Sequence, residues 1–256
     1  MAGWLRFSWV FALCLSLSTW AAESVPILVY HRFGPTVADS MTVRTAVFEA
    51  HLRHLKEQGY RVVPLLDVVN ALRNGSPDLP DKAVVISVDD GHRSVYTQML
   101  PLVQRYQIPV TLFIYPSAIS NASYAMTWEQ LRALQLSGWF NIQSHTYWHP
   151  NFKQEKRRLT PEAYHDLVRM QLLRSKQKLQ QTLGIQIDLL AWPFGIYDDE
   201  LQQQAHAVGY VAAFSIDGRS ASRTEPLLAL PRLLMVDRID ERALVKLLQQ
   251  SSKPVR

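Results

Sequence analysis

The segment VVISVDDG, residues 84–91, constrains the fold more than any other part of the chain. It opens on four β-branched residues and one serine, a composition typical of a parallel strand buried on both faces. The strand ends at two adjacent carboxylates, Asp89 and Asp90, and Gly91 permits a sharp turn after them. Because successive strand residues point to opposite sides, we expect the two carboxylates to take different roles, one binding a metal and the other handling a proton.

A second polar segment, NIQSHTYWHP at residues 141–150, also follows an apolar strand. His145 and His149 are four residues apart, which places both imidazoles on one side of a helix or of a loop. Two histidines and one carboxylate are a common ligand set for a catalytic divalent metal. The carboxyl ends of parallel strands meet at one face, so we expect the histidines to lie near Asp89 and Asp90. Taken alone, each segment is also compatible with a solvated turn or with surface histidines.

Together with LLAWPFG at residues 189–195, these segments resemble the motifs of the polysaccharide deacetylases, carbohydrate esterase family four with its NodB-homology domain. The first family motif ends in Asp-Asp-Gly, the second is His-Ser/Thr-x-x-His, often followed by Pro, and the third ends in Pro-Tyr/Phe-Gly. All three occur here in the family order. The opening VPILVYHRFGP, residues 25–35, is similar to the start of exopolysaccharide deacetylases that act on poly-β-1,6-N-acetylglucosamine.

The resemblance implies a role for each motif residue. Asp89 corresponds to the general base, and Asp90, His145 and His149 to the ligands of a divalent metal. Zinc is the first choice on ligand type, and cobalt, nickel or iron also suit this set. The backbone N–H of Phe194 corresponds to an oxyanion donor.

Two positions depart from the family pattern. Many members carry an arginine in the third motif that orients the base, and the equivalent position here is Ala191. Members also carry a late histidine as general acid in a Leu-x-His motif, whereas the nearest match here, LLMVD at 233–237, has none. We interpret His206 as a surface residue of a helix. The general acid is therefore unassigned, and activity is expected to be low or to use another donor.

Five further residues are candidates for contact with a sugar. His31 ends the first strand, His92 follows the Asp-Asp-Gly turn, and Asp217 follows a strand in SIDG. Tyr147 and Trp148 lie between the two histidines, and sugars stack on aromatic faces. Core packing, solvated surface and an ordinary turn remain alternatives for these residues.

Strand and helix patterns alternate about seven times, without a repeat or a low-complexity linker. This alternation predicts an α/β fold with a parallel sheet covered by helices, either a barrel or an open sheet. The resemblance implies a distorted, incomplete (β/α) barrel with parallel strands and outer helices. The predicted helices span residues 45–58, 65–73, 94–106, 127–136, 160–183, 198–208 and 241–250. The basic run KQEKRR, residues 153–158, is expected to be a solvated loop.

Residues 1–22 are typical of a secretory signal peptide, which leaves residues 23–256 as a single domain. The apolar run within this segment is short for a membrane span, which needs about 20 residues; an uncleaved anchor is the alternative. Cys14, the one cysteine, lies in the same segment. A mature chain without cysteine suits an oxidising compartment, and we expect the periplasm of a Gram-negative bacterium.

The formal net charge of +5 is too small and too scattered to predict binding to nucleic acid. We expect a monomer with a polysaccharide substrate, and other proteins of exopolysaccharide synthesis or export as candidate partners. The leading hypothesis is an exported, metal-dependent N-deacetylase acting on an N-acetylglucosamine polymer. The alternatives are a peptidoglycan- or chitin-type deacetylase, a catalytically weakened carbohydrate-binding protein on the same fold, and a glycoside hydrolase.

Overall fold

The structure is a computed structural model that describes residues 24–75 and 77–251. The predicted signal peptide, including Cys14, lies outside these residues. Across the described ranges, no helix combines the length and the apolar character that crossing a bilayer would require.

The described residues form twelve strands and eight α-helices. The strands are β1 (Ser24–Val25), β2 (Ile27–Tyr30), β3 (Arg32–Gly34), β4 (Thr42–Arg44), β5 (Arg61–Val62), β6 (Ala83–Asp89), β7 (Val110–Ile114), β8 (Phe140–Ser144), β9 (Leu189–Ala191), β10 (Ala212–Phe214), β11 (Ala221–Ser222) and β12 (Leu233–Leu234). The helices are α1 (Thr45–Glu57), α2 (Leu65–Asn74), α3 (Leu100–Tyr106), α4 (Trp128–Leu136), α5 (Phe152–Arg158), α6 (Pro161–Leu183), α7 (Asp199–Val208) and α8 (Glu241–Ser251).

The main sheet is parallel throughout and has the strand order β10-β9-β8-β7-β6-β2-β12, with β5 paired to the start of β6. Leu230 pairs with Phe214 of β10, and Leu233 pairs with Leu28 of β2. One short segment therefore touches both ends of the sheet. The sheet is curled into the distorted (β/α) barrel with outer helices that the family resemblance implied.

Alternate residues of β6, which is buried along its whole length, face two different environments. Ile86 and Val88 belong to the large apolar cluster between the sheet and the outer helices. Val85 belongs to a second cluster that includes Phe113 and Phe214 of neighbouring strands. The period of two in a β-strand explains this division, and it places Asp89 on the same face as Val85.

Several helix boundaries follow the sequence signals that predicted them. The side chain of Thr127 accepts a hydrogen bond from the N–H of Gln130 and the Gln130 side chain accepts one from the N–H of Thr127, so α4 begins with the expected capping box. Gly184 ends α6 in a left-handed conformation, as predicted. The predicted helix 94–106 is instead a π-helical turn, Val95–Met99, followed by α3.

The basic run KQEKRR is not the predicted solvated loop, since it forms most of α5. The side chain of Asn151 accepts a hydrogen bond from the N–H of Gln154 and caps the helix. The buried ring of Phe152 anchors the first turn. Basic side chains occupy the last turn, where they complement the negative end of the helix dipole.

Candidate metal and catalytic site

Three residues with metal-ligating side chains meet at the carboxyl edge of the sheet. Asp90 follows β6, while His145 and His149 follow β8. The Oδ1 atom of Asp90 lies 3.7 Å from Nε2 of His145 and 3.7 Å from Nε2 of His149. One ligand atom from each residue lies within 4.8 Å of the other two. The structure thus brings together the three residues that the resemblance implied as metal ligands.

The backbone of Asp90 is left-handed, with a φ of 73°, so the strand alternation ends at Asp89. The expectation that the two carboxylates point to opposite sides is therefore wrong. Nε2 of His145 lies 3.8 Å from Asp89 Oδ2 and 3.7 Å from Asp90 Oδ1, so both carboxylates reach the same imidazole. The other partners of the two carboxylates differ, since Asp89 pairs with Arg232 and Asp90 lies near His149. This difference still allows separate roles.

A backbone carbonyl holds the imidazole ring of His145 in place. Its Nδ1 atom lies 2.8 Å from the carbonyl oxygen of Ala191, which can only accept a hydrogen bond. Nδ1 therefore carries a proton, and Nε2, which faces the two carboxylates, is the ring nitrogen that can ligate a metal. Metal-ligating histidines commonly have such an outer partner for the second ring nitrogen.

His149 is surrounded by aromatic rings on the solvent side of the cluster. Its ring centroid lies 5.3 Å from that of Tyr115 and 4.6 Å from that of Phe194. Burial, followed by the neighbouring His145, lowers the pKa of His149 to about 4. At neutral pH the imidazole is therefore uncharged and can donate a lone pair.

This donor set fits a divalent cation such as zinc. Two ligands of a tetrahedral zinc ion bonded at about 2.1 Å lie about 3.4 Å apart. The nearest separations between Asp90 and the two histidines, 3.7 Å each, are close to that value. Two nitrogens and one oxygen also leave coordination positions open for water and substrate.

Asp89 is buried and held by the fully buried guanidinium of Arg232. Nη1 donates to Oδ1 at 2.8 Å and Nη2 donates to Oδ2 at 2.7 Å, while Nε donates to the carbonyl of Ser215 at 3.0 Å. Burial alone would raise the pKa of Asp89, but Arg232, followed by His145, outweighs burial and lowers the pKa to about 2. The carboxylate of Asp89 is therefore ionised at neutral pH, even though it is buried away from solvent.

An arginine from another part of the chain faces Asp89. Ala191 does occupy the third-motif position, but Arg232 supplies the guanidinium from the segment that joins the two ends of the sheet. Arg232 lies just before β12. One sequence signal could have identified it, since Arg232 is a lone charge in the apolar run ALPRLLMV, residues 229–236.

His31 lies directly after β2, close enough to the carboxylates to interact with them electrostatically. Burial lowers its pKa, and the charges of Asp89 and Asp90 partly oppose that shift. The buried Nδ1 atom of His31 has no hydrogen-bond partner among the described residues. The structure thus leaves Nδ1 uncommitted in an imidazole that lies within electrostatic range of Asp89 and Asp90.

Phe194 adopts a left-handed conformation, with a φ of 57°, within the turn Pro193–Gly195. Its side chain is 55% exposed and packs edge-on against His149. The third motif therefore reaches the site. Trp192, by contrast, is a core residue whose indole N–H donates to the carbonyl of Leu228.

Tyr147 and Trp148 form the loop between the two histidines. The Tyr147 ring packs against the guanidinium of Arg174, 4.2 Å from the ring centroid. Trp148 is 45% exposed beside the metal-ligand cluster. Both residues lie at the rim, and Trp148 has the more open surface.

His92 stacks on Tyr124 with 10° between the ring planes. Its Nδ1 atom accepts a hydrogen bond from the N–H of Ser94 at 3.1 Å, so the proton of the neutral ring resides on Nε2. Burial lowers the pKa of His92. A neutral N–H donor therefore lies beside an exposed aromatic ring.

Asp217 lies at the same edge, three residues after β10, but it is engaged in a local network. It accepts a hydrogen bond from the Tyr197 hydroxyl at 3.0 Å and lies 3.5 Å from the guanidinium of Arg219. His206 is exposed in α7, in agreement with its interpretation as a surface residue.

Comparison with known proteins gives a consistent result. A family model described as polysaccharide deacetylase matches residues 76–213, more than half of the 256 residues. The chain is 24% identical over 259 aligned positions to the poly-β-1,6-N-acetyl-D-glucosamine N-deacetylase of Escherichia coli strain K12. That alignment covers 87% of this chain but 38% of the relative, so the chain spans under two fifths of the relative's length.

Two solved structures share the fold. The Streptococcus pyogenes deacetylase PplD in complex with acetate is 24% identical, with a TM-score of 0.78 over 90% of this chain and 99% of that chain. IcaB from Ammonifex degensii is 23% identical, with a TM-score of 0.75 over 89% of this chain and 97% of that chain.

Proposed function

Because the chain belongs to the polysaccharide deacetylase family, we propose that it is a metal-dependent N-deacetylase that removes acetyl groups from N-acetylglucosamine units of a polysaccharide. One observation carries this proposal. A metal-type ligand set, Asp90 with His145 and His149, adjoins a separate carboxylate, Asp89, that is ionised and held by Arg232. A hydrolytic site needs both parts.

The reaction is the hydrolysis of an amide. Water attacks the acetamide carbonyl carbon, the bond from that carbon to the sugar nitrogen breaks, and acetate and an amine result. Asp90, His145 and His149 would hold a divalent cation, most suitably zinc, which when bound acidifies a water ligand and polarises the carbonyl. Cobalt, nickel or iron would suit the same donors.

Asp89 serves as the general base that accepts a proton from the attacking water. Its low pKa keeps it ionised, and the two hydrogen bonds from Arg232 fix the orientation of its carboxylate. Because Arg232 donates one hydrogen bond to each oxygen of Asp89, the carboxylate cannot rotate freely. Arg232 is therefore a positioning residue for the base.

His31 is our candidate for the general acid, the role that the sequence left unassigned. It lies beside Asp89 and Asp90, and no described residue hydrogen-bonds to its Nδ1 atom. The departing amine needs a proton, and the charges of Asp89 and Asp90, which oppose the effect of burial on the pKa of His31, favour the protonated imidazole that could deliver it. The backbone N–H of Phe194 is proposed to stabilise the developing oxyanion.

We propose poly-β-1,6-N-acetylglucosamine as the preferred polymer. The support is the Escherichia coli relative, a poly-β-1,6-N-acetyl-D-glucosamine N-deacetylase, whose alignment covers most of this chain. Trp148 and the ring of Tyr124 beside His92 are exposed at the rim and offer aromatic faces for sugar units. Tyr147 would contribute less, since Arg174 already covers its ring.

A binding protein without catalysis is less well supported than the sequence suggested. That hypothesis depended on the loss of the third-motif arginine and of the late histidine, and Arg232 supplies a guanidinium to Asp89 from another segment. A pure binder has no use for an ionised, buried Asp89 beside the ligand set. We further propose that the chain works in the periplasm, on the basis of its signal-like first 22 residues.

Acetate release from β-1,6- and β-1,4-linked N-acetylglucosamine oligomers tests the function. The protein is assayed after metal removal and again with zinc, cobalt or nickel added. We expect release only with metal, and faster release from the β-1,6 oligomer. Asp89→Asn should retain bound zinc but lower kcat by about 10²–10⁴-fold.

Three results would contradict the proposal. Metal-independent release would remove the role of the ligand set. An Asp89→Asn variant with full activity would exclude that residue as the base. Sugar binding without acetate release, with every metal and both linkages, would support a binding protein.

A further inference from the structure

The loop that carries both histidines, residues 145–149, is held from another element by Gln171 of α6. Its side-chain Oε1 accepts the N–H of Tyr147 at 3.1 Å and the N–H of Trp148 at 3.0 Å. Gln171 is fully buried. Because both loop groups are donors, the amide oxygen must face the loop, and its nitrogen faces the sulfur of Met170 at 3.6 Å.

The loop needs such support because its backbone is strained at two positions. Thr146 has a φ of 64° and His149 a φ of 65°, and neither is a glycine. A β-branched residue such as Thr146 is especially disfavoured in the left-handed region. Conformations of this kind persist only when surrounding contacts determine them.

Other contacts fix the beginning of the loop, one carbonyl in its middle and the N–H of His149, which donates to Thr146 Oγ1 at 3.2 Å, but the N–H groups of Tyr147 and Trp148 donate to Gln171. The N–H of His145 donates to the carbonyl of Ile114 at 2.8 Å, and the carbonyl of Tyr147 accepts from the N–H of Ser117 at 3.1 Å. The two amides between the strained residues donate to the Gln171 oxygen. A side chain without an acceptor at that place would leave both without this partner.

We propose that Gln171 is a positioning residue for the metal centre: by accepting two consecutive amides, it holds the left-handed turns that direct His149 and His145 towards Asp90. The proposal rests on the proposed function, since it concerns the metal ligands of that site. Gln171 itself neither binds the metal nor touches the substrate. Its effect passes through the loop backbone.

Two substitutions separate hydrogen bonding from packing. Gln171→Met has similar length and volume but no strong acceptor, whereas Gln171→Glu retains an oxygen for both amides. Gln204→Met is the matched control, because Gln204 is also a buried helical glutamine but pairs with His165 rather than with the loop. Zinc affinity is measured by chelator competition, and the Co²⁺ absorption spectrum reports the ligand geometry.

We expect Gln171→Met to weaken zinc binding by about 10–100-fold, the usual effect of losing an outer partner of a metal ligand. Its Co²⁺ spectrum should change, while Gln171→Glu should remain closer to wild type in both measurements. Gln204→Met should bind zinc like wild type. Urea unfolding of the metal-free proteins should show that both methionine variants fold, with the larger loss of stability in Gln171→Met, which leaves two loop amides without their acceptor.

The outcomes separate this inference from the proposed function. A wild-type protein that binds no divalent metal would overturn the metal centre and this inference together. Wild-type binding that Gln171→Met leaves within about twofold would overturn the inference alone. Equal losses in Gln171→Met and Gln204→Met, or in Gln171→Met and Gln171→Glu, would also overturn it.

Discussion

Arg232 donates a hydrogen bond to each carboxylate oxygen of Asp89, at 2.8 Å and 2.7 Å, across a separation of 143 positions in the chain. Both side chains are buried, so neither charge can rely on water in the absence of the other. The segment that carries Arg232 also joins the two ends of the sheet. The orientation of the proposed base is therefore linked to the curling of the barrel.

Arg232→Met should lower both stability and activity. Removing one partner of a buried pair leaves an uncompensated charge, so we expect a loss of about 3–5 kcal/mol in the free energy of unfolding. Without the two hydrogen bonds from Arg232, the Asp89 carboxylate is no longer fixed in orientation, and kcat should fall by about 100-fold or more. Urea denaturation and acetate release measure the two effects.

Asp89→Asn combined with Arg232→Met provides the control for this pair. The double variant removes both charges and should be more stable than Arg232→Met alone. If the free energies of the two single changes simply add, the residues are not coupled and our account of the pair is wrong. Arg232→Lys should rescue little activity, because an ammonium group cannot make two parallel hydrogen bonds to a carboxylate.

Much of the fold could be predicted because its signals are local. The Val/Ile run of β6, the capping box at Thr127 and the glycine at the end of α6 each act within a few residues. The signal for α5 is also local, since Asn151 caps this helix, but the charge pattern of KQEKRR predicts a solvated loop.

The candidate site was predictable only in part. Asp90, His145 and His149 lie in two short motifs at strand ends, and parallel topology brings such ends together. Arg232 and Gln171 reach the site from elements distant in the chain, and their partners depend on how the sheet curls and where α6 packs. No short motif contains that information.

His31→Gln tests the proposed general acid through the leaving group. The amine of an N-acetyl sugar needs a proton as it departs, so we expect kcat for acetamide hydrolysis to fall by about 10²–10⁴-fold. An aryl acetate such as 4-nitrophenyl acetate releases a stable anion and should lose much less activity. Asp89→Asn should slow both substrates. Equal losses on both substrates for His31→Gln would argue against the acid role.

Gly195→Ala should disturb the third motif by a steric clash. A Cβ atom at this position would lie 2.5 Å from Cγ1 and 3.0 Å from the backbone nitrogen of Ile216. The positive φ of 67° adds strain for alanine. We expect lower stability in urea unfolding and lower kcat, because the neighbouring Phe194 must shift.

Gly138→Ala is the matched control for that clash. Gly138 also has a positive φ, 79°, but an added Cβ would meet nothing within 4 Å. It should therefore share the backbone strain without the steric contact. If Gly195→Ala and Gly138→Ala lower the free energy of unfolding equally, the contact with Ile216 adds nothing to the effect of backbone strain.

His51 should make the stability of the protein depend on pH. It is fully buried in α1, where its Nε2 donates to the carbonyl of Ile239 at 2.7 Å and its Nδ1 accepts from the Tyr30 hydroxyl at 3.0 Å. Burial lowers its pKa, although the Ile239 carbonyl and the acidic groups of Glu241, Asp240 and Asp237 partly oppose the shift. The folded state thus binds this proton less readily than the unfolded state, whose histidine has a pKa of about 6.5.

The sign of the effect follows from proton linkage. Below about pH 6.5 the unfolded state binds more protons at this site than the folded state does, so stability falls as the pH decreases, until the folded pKa is reached. The slope for one proton is at most about 1.4 kcal/mol per pH unit. His51→Gln should remove this contribution, and we would measure the free energy of unfolding of both proteins between about pH 7.5 and about pH 5, a range that brackets the pKa of about 6.5 of the unfolded histidine. A His51→Gln curve that runs parallel to wild type over this range would contradict the prediction.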